Sequence, residues 1–115
     1  MLKYDDVISI LNNILKITND INLLLNTEVD DVKLSTIENY YNQRMEYISS
    51  INEFFGNLKS YDMPESEKTK IISITDSINK TDKTNLKIIH SKLSETKKSL
   101  EIFQKQKSVL LYAKS

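Results

Sequence analysis

Residues 65–111 read ESEKTKIISITDSINKTDKTNLKIIHSKLSETKKSLEIFQKQKSVLL and hold neither glycine nor proline. Their apolar residues recur mostly three or four positions apart, at Ile71, Ile74, Ile78, Leu86, Ile89, Leu93, Leu100, Phe103 and Leu110. This spacing puts them on one stripe of an α-helix. An unbroken helix of this length would extend roughly 70 Å at about 1.5 Å per residue. The rest of the chain must cover this stripe, or the segment bends, or a partner covers it.

The composition predicts an all-α protein. Among 115 residues there is one glycine and one proline, and loop-rich or sheet-rich folds need many more of both for their turns. We expect one domain, residues 1–115, folded as an antiparallel bundle of three long helices at about 3–25, 31–58 and 64–111. The third is very long or breaks to give a short fourth C-terminal helix.

The first two helices have clear sequence signals. Helix one has an apolar seam that alternates steps of three and four, formed by Val7, Ile10, Ile14, Ile17, Ile21 and Leu24. The start of helix two has several candidate caps: Thr27 paired with Asp30, Asp30 or Asp31 instead, and Ser35 paired with Glu38 further on. Because the connection is short, the two helices are expected to be antiparallel neighbours.

Helix three is longer than the first two helices can cover. Pro64 suits its first turn, and a helix continuing to residue 111 would leave about 93–111 beyond the hairpin of helices one and two. An apolar stripe of that length is not left bare in a soluble monomer. The segment bends back as a fourth helix, or a second copy or a client protein covers it.

Helix two carries a row of aromatic residues seven apart, Tyr40, Tyr47 and Phe54. Two interpretations stay open: the row is core between helices one and three, or it borders a groove for a partner helix, since aromatic residues anchor such grooves. Arg44 interrupts a second, apolar row. It either extends to solvent or pairs with an acid.

Polar residues also interrupt the stripe of helix three, at Thr81, Asp82 and Asn85. They form either a buried polar layer that fixes the helix register, or a stretch that faces solvent where the seam drifts.

The charge is uneven along the chain. Residues 1–63 hold five Lys/Arg and ten Asp/Glu, a net charge of −5, and residues 64–115 hold eleven and six, a net charge of +5. The simplest explanation of this charge asymmetry is internal, with the basic third helix packed across the two acidic helices before it. Nucleic-acid binding is disfavoured, because acids interrupt the lysines and no aromatic residues are interleaved for base stacking.

The residues needed for catalysis are scarce. With one histidine and no cysteine, no nucleophile–base pair, phosphate-binding loop or metal-ligand spacing occurs. We therefore predict no enzyme activity, no metal and no cofactor. No apolar run is long enough to insert into a membrane, and no signal peptide precedes the first helix, so a cytoplasmic location is expected.

Three segments resemble the FliT-type flagellar export chaperones. The first runs from Glu38 to Arg44 and on to Ile48 and Ile51. The second is Ile78, Asp82 and Leu86 in helix three. The third is a tail formed by Lys107, Val109, Leu110, Leu111 and Tyr112. A glycine expected before this tail is replaced by Gln104-Lys105-Gln106.

The resemblance implies a cytoplasmic chaperone that binds the C-terminal helical segment of the flagellar filament-cap protein and delivers it to the export apparatus. On this basis we expect a client-binding groove lined by Tyr40, Tyr47, Phe54, Ile71, Ile74 and Ile78. The tail residues Leu110, Leu111 and Tyr112 would form a regulatory flap over it. The alternative is a structural coiled-coil adaptor that homodimerises through the long third helix.

Overall fold

A computed structural model describes residues 4–56 and 64–92. They form three helices, α1 (Tyr4–Leu25), α2 (Asp31–Gly56) and α3 (Glu65–Lys92). The described residues contain no strand, which confirms the all-α prediction. Residues 57–58 and 93–111, where helix two was expected to end and helix three to continue or bend, lie outside the described residues.

The helix starts are fixed by local hydrogen bonds. Asp30 caps α2, because its Oδ1 accepts a 2.8 Å bond from the Lys33 backbone N–H and its carbonyl accepts one of 2.9 Å from the Leu34 N–H. Of the candidate caps, Asp30 therefore takes the role. At α3 the Pro64 carbonyl accepts the N–H groups of Glu67 and Lys68, at 3.0 and 3.1 Å.

α1 is the helix against which the other two pack. It lies against both α2 and α3, whereas the backbones of α2 and α3 approach each other less closely. Two apolar clusters fill the space between the helices. The first cluster consists of Val7, Leu11, Ile14, Ile48, Ile51, Ile71 and Ile78. The second cluster consists of Ile17, Ile21, Leu25, Ile37, Tyr41 and Ile89.

The pattern of burial follows the sequence periodicity. The first cluster combines the first half of α1 with the second half of α2 and the first half of α3. The second cluster combines the opposite halves. Over the described ranges, no helix combines the length and apolar character that crossing a membrane requires.

Candidate functional site

A buried ion pair joins α2 to α3 between the two clusters. Arg44 Nη1 donates to Asp82 Oδ1 at 2.7 Å, and Arg44 Nη2 donates to Asp82 Oδ2 at 3.1 Å. Both side chains are buried, with 0% and 1% of their surface exposed. The two parallel bonds are the arrangement in which a guanidinium binds a carboxylate most strongly. Arg44 therefore pairs with an acid, one of the two outcomes that the sequence left open.

The two charges of the ion pair come from the opposite halves of the chain to those expected. The sequence suggested that a basic third helix would lie across two acidic ones. In this pair the base comes from the acidic half of the chain and the acid from the basic half. Meanwhile Lys80, Lys83 and Lys87 on α3 are exposed.

Tyr41 borders the ion pair. The guanidinium carbon of Arg44 lies 5.4 Å from the centre of the Tyr41 ring, within the range of a cation–π contact. Burial raises the pKa of the Tyr41 phenol, the Asp82 carboxylate raises it further, and Arg44 lowers it. The phenol therefore remains protonated, and the ring packs as part of the second cluster.

A second polar layer joins α1 to α3. Asn85 Nδ2 donates to the Thr18 carbonyl at 3.2 Å, and Asn22 Nδ2 donates to Asn85 Oδ1 at 2.8 Å. The Thr18 hydroxyl donates to the Ile14 carbonyl at 2.7 Å. Asp82 and Asn85 are thus buried polar residues, whereas Thr81, the third residue of the predicted interruption, is only half-buried.

Other polar atoms near the ion pair have no such partners. Thr75 and Asn79 on α3 are buried, with 0% and 8% of their surface exposed. Within the described ranges, the Thr75 hydroxyl, both polar atoms of the Asn79 amide and Arg44 Nε have no hydrogen-bond partner. A buried polar group without a partner costs about 1–3 kcal/mol. The α1–α3 polar layer is hydrogen-bonded, whereas these atoms of α2 and α3 are not.

Five of the six predicted groove residues belong to the first cluster or pack against it. Ile71 and Ile78 are buried members of the cluster, while Tyr47, Phe54 and Ile74 are partly buried at its margin. Tyr40 packs against the second cluster, which Tyr47 also contacts. A partner helix would therefore meet the partly buried side chains first. It would reach Ile71 and Ile78 only if the helices moved apart.

The predicted flap residues Leu110, Leu111 and Tyr112 lie outside the described residues. In the part of the chain that the structure describes, no three His, Cys, Asp or Glu side chains come together in a way that could hold a metal ion.

Several buried polar residues were not identified from the sequence. The predicted interruption of the α3 stripe began at Thr81, yet Thr75 and Asn79 are already buried. Their spacing of seven and three residues from Asp82 was the available signal, because it puts all three on one side of a helix. The α1 partners Thr18 and Asn22 had no comparable signal, because threonine and asparagine are common on solvent-facing helix surfaces.

Comparisons of the chain with protein-family models, curated proteins and solved structures find no match.

Proposed function

We propose that this protein is a FliT-type flagellar export chaperone. It acts in the cytoplasm as an antiparallel helical bundle, binds the C-terminal helical segment of the flagellar filament-cap protein, and presents it to the export apparatus. It performs no chemical step and needs no cofactor. Its work is to cover an apolar helix of the client until export.

One observation carries this proposal, the contact between Arg44 and Asp82. These residues belong to two of the three segments in which the sequence resembles the family. Here their two charged residues form a buried two-point ion pair, which supports treating the segments as parts of one site.

The proposed client surface consists of partly buried side chains. Tyr47, Phe54 and Ile74 lie at the margin of the first cluster, and Tyr40 lies at the margin of the second. Aromatic side chains bury a large apolar area with little loss of conformational entropy, which suits them to anchor a helix. Ile71 and Ile78 lie beneath this margin and support it.

The tail provides the proposed regulation. Leu110, Leu111 and Tyr112 are apolar residues close to the C-terminus. In the proposed chaperone they occupy the client surface when no client is bound. A client then has to displace them. Its apparent affinity is therefore its intrinsic affinity multiplied by the fraction of molecules in which the tail does not cover the client surface.

The test is isothermal titration calorimetry with a synthetic peptide of the filament-cap protein's C-terminal segment. The variant in which Leu110, Leu111 and Tyr112 are changed to serine should bind the peptide more tightly than the unaltered chain. A matched control changes Lys105 and Lys114 to serine, which alters the same tail but keeps its apolar residues. It should bind like the unaltered chain.

Equal or weaker binding by the triple variant would contradict the flap. A chain that binds no peptide in any variant, and that sediments as a stable dimer, would contradict the chaperone and favour the homodimeric adaptor.

A further inference from the structure

The two asparagines of α3 differ in their hydrogen bonding. Asn85 is buried and its amide is hydrogen-bonded to Thr18 and Asn22 of α1. Asn79, six residues earlier, is almost as deeply buried, but neither polar atom of its amide has a partner among the described residues. In Asn85, both the nitrogen and the oxygen of the side-chain amide are thus hydrogen-bonded, whereas in Asn79 neither atom has a partner among the described residues.

The direction of Asn79 follows from helix geometry. An α-helix turns by about 100° per residue, so Asn85 and Asn79 lie about 60° to either side of Asp82. Asn85 bonds to α1 and Asp82 bonds to Arg44 of α2. Asn79 therefore lies on the edge of α3 that is turned away from α1, where only 8% of its surface is exposed.

The residues on either side of Asn79 along this edge are apolar. Ile72 and Leu86 lie seven residues before and after it, on the same row of the helix. Ile72 is 42% exposed and Leu86 is half-buried. A single polar residue in an otherwise apolar row is a device that selects partner and register, because only a partner with a polar group at the same level satisfies it.

The contact between α2 and α3 is also the weaker one. α1 packs closely on both other helices, while α2 and α3 stay farther apart. Thr75, about 20° from Asp82 on the same side as Asn79, is a second buried residue whose hydroxyl lacks a partner in the described ranges. Separating α2 from α3 would expose these atoms at the cost of the Arg44–Asp82 ion pair, while leaving the hydrogen bonds between α1 and α3 intact.

We infer that Asn79 is a specificity-determining residue that pairs with an asparagine or glutamine side chain on a bound helix, with Ile72 and Leu86 contacting apolar residues on either side of that amide. This inference rests on the proposed function and specifies which client helices the chaperone accepts. It leaves Ile74 outside the contact, because Ile74 lies about 80° from Asp82 on the side of Asn85, the edge of α3 that faces α1. The Asn79 amide is already withdrawn from water in the free chain. Because the amide has no partner among the described residues, a bond to the client replaces no bond within the chain.

The first part of the test uses the free, full-length chain. Asn79→Leu removes an amide that has no partner, and Asn85→Leu removes one that has two. Urea unfolding should give Asn79→Leu a midpoint equal to or above that of the unaltered chain, and Asn85→Leu a lower one. A midpoint lowered as much in Asn79→Leu as in Asn85→Leu would mean that the Asn79 amide is satisfied in the free chain, and would overturn the inference.

The second part measures binding of the filament-cap C-terminal peptide. Asn79→Leu should bind at least about fivefold more weakly, because the client's amide would then be buried without a partner. Asn12→Leu, at an exposed asparagine of α1, should bind like the unaltered chain. Peptides with one asparagine or glutamine changed to leucine should include one whose affinity is lowered for the unaltered chain but unchanged for Asn79→Leu.

Unchanged affinity of Asn79→Leu for the peptide would overturn the inference while leaving the chaperone proposal intact. A dimer of the unaltered chain that Asn79→Leu dissociates would assign this edge to a second copy and would also overturn it. If the unaltered chain binds no peptide, the chaperone proposal fails. The unfolding comparison then decides alone whether Asn79 is held without a partner.

Discussion

Arg44 on α2 and Asp82 on α3 form a buried ion pair with two parallel hydrogen bonds, although they are 38 residues apart in sequence. It connects the two helices whose backbones pack least closely. The pair therefore has a defined structural role, since it fixes the level at which α3 lies against α2.

Removing one member of this pair should be far more damaging than removing both. Arg44→Met or Asp82→Leu alone leaves an uncompensated buried charge, and each should lower the free energy of unfolding by about 3–5 kcal/mol. The double variant replaces the pair with apolar side chains and should recover most of this loss. Urea unfolding followed by circular dichroism measures all three.

Arg44→Lys is the control for geometry in this series. It retains the positive charge but cannot form two parallel bonds with the carboxylate. Its stability should fall between those of the unaltered chain and Arg44→Met. A double variant no more stable than the single ones would show that the pair contributes little through its charges.

The cap of α2 gives a second prediction. Asp30→Ala removes the side-chain oxygen that accepts the Lys33 N–H, and should cost about 1 kcal/mol of unfolding free energy. Asp31→Ala removes an acid from the first turn of the same helix, and this acid is exposed, as Asp30 is. It should cost only a few tenths of a kcal/mol through the helix dipole. Equal losses in thermal unfolding would mean that Asp30 acts only through its charge.

Alkaline pH should destabilise the fold through Tyr41. Burial raises the folded-state pKa of this phenol above its ordinary value of 10.0, so above about pH 10 the unfolded chain loses a proton that the folded chain keeps. Stability from this group is therefore complete below pH 10 and declines as the pH rises further. The unfolding midpoints of the unaltered chain and Tyr41→Phe, measured at a series of pH values, isolate this effect.

Every other ionisable group is present in both proteins, so its contribution cancels in that comparison. The difference in stability between the two should be constant from neutral pH to about pH 10. Above it, the difference should shift in favour of Tyr41→Phe. A difference that stays constant at higher pH would mean that Tyr41 ionises as readily in the folded chain as in the unfolded one.

A comparison of two leucines on α1 tests the core assignment. Leu11 is completely buried, whereas Leu23 is 67% exposed. Leu11→Ala should lower the unfolding free energy by about 2–5 kcal/mol, and Leu23→Ala should change it by less than about 0.5 kcal/mol. Similar losses for both would place Leu23 in a contact that its exposure does not indicate.

The sequence predicted the features that depend on local patterning. The three- and four-residue spacing predicted helices containing Ile14, Ile48 and Ile78. The capping residues near the start of helix two included Asp30 among a few candidates, with Thr27, Asp31 and Ser35 as the others. These features depend on helix periodicity and on backbone groups within one turn, so the sequence alone contains the information.

The features that depend on tertiary packing could be predicted only as alternatives. Arg44 on an apolar row could extend to solvent or pair with an acid, and only the position of α3 decides that Asp82 is its partner. The burial of Thr75 and Asn79 was missed, because threonine and asparagine fit both exposed and buried positions on a helix. Which polar atoms remain without a partner depends on distances between helices, which the sequence does not contain.

We propose that this chain holds an apolar helix of the flagellar filament-cap protein. Sedimentation velocity of the full-length chain, alone and mixed with a fragment containing the cap protein's C-terminal segment, tests this proposal. A new species is expected that sediments faster than either component and is lost when the segment's apolar residues are changed to polar ones. Unchanged sedimentation of both components, at concentrations well above micromolar, would contradict it.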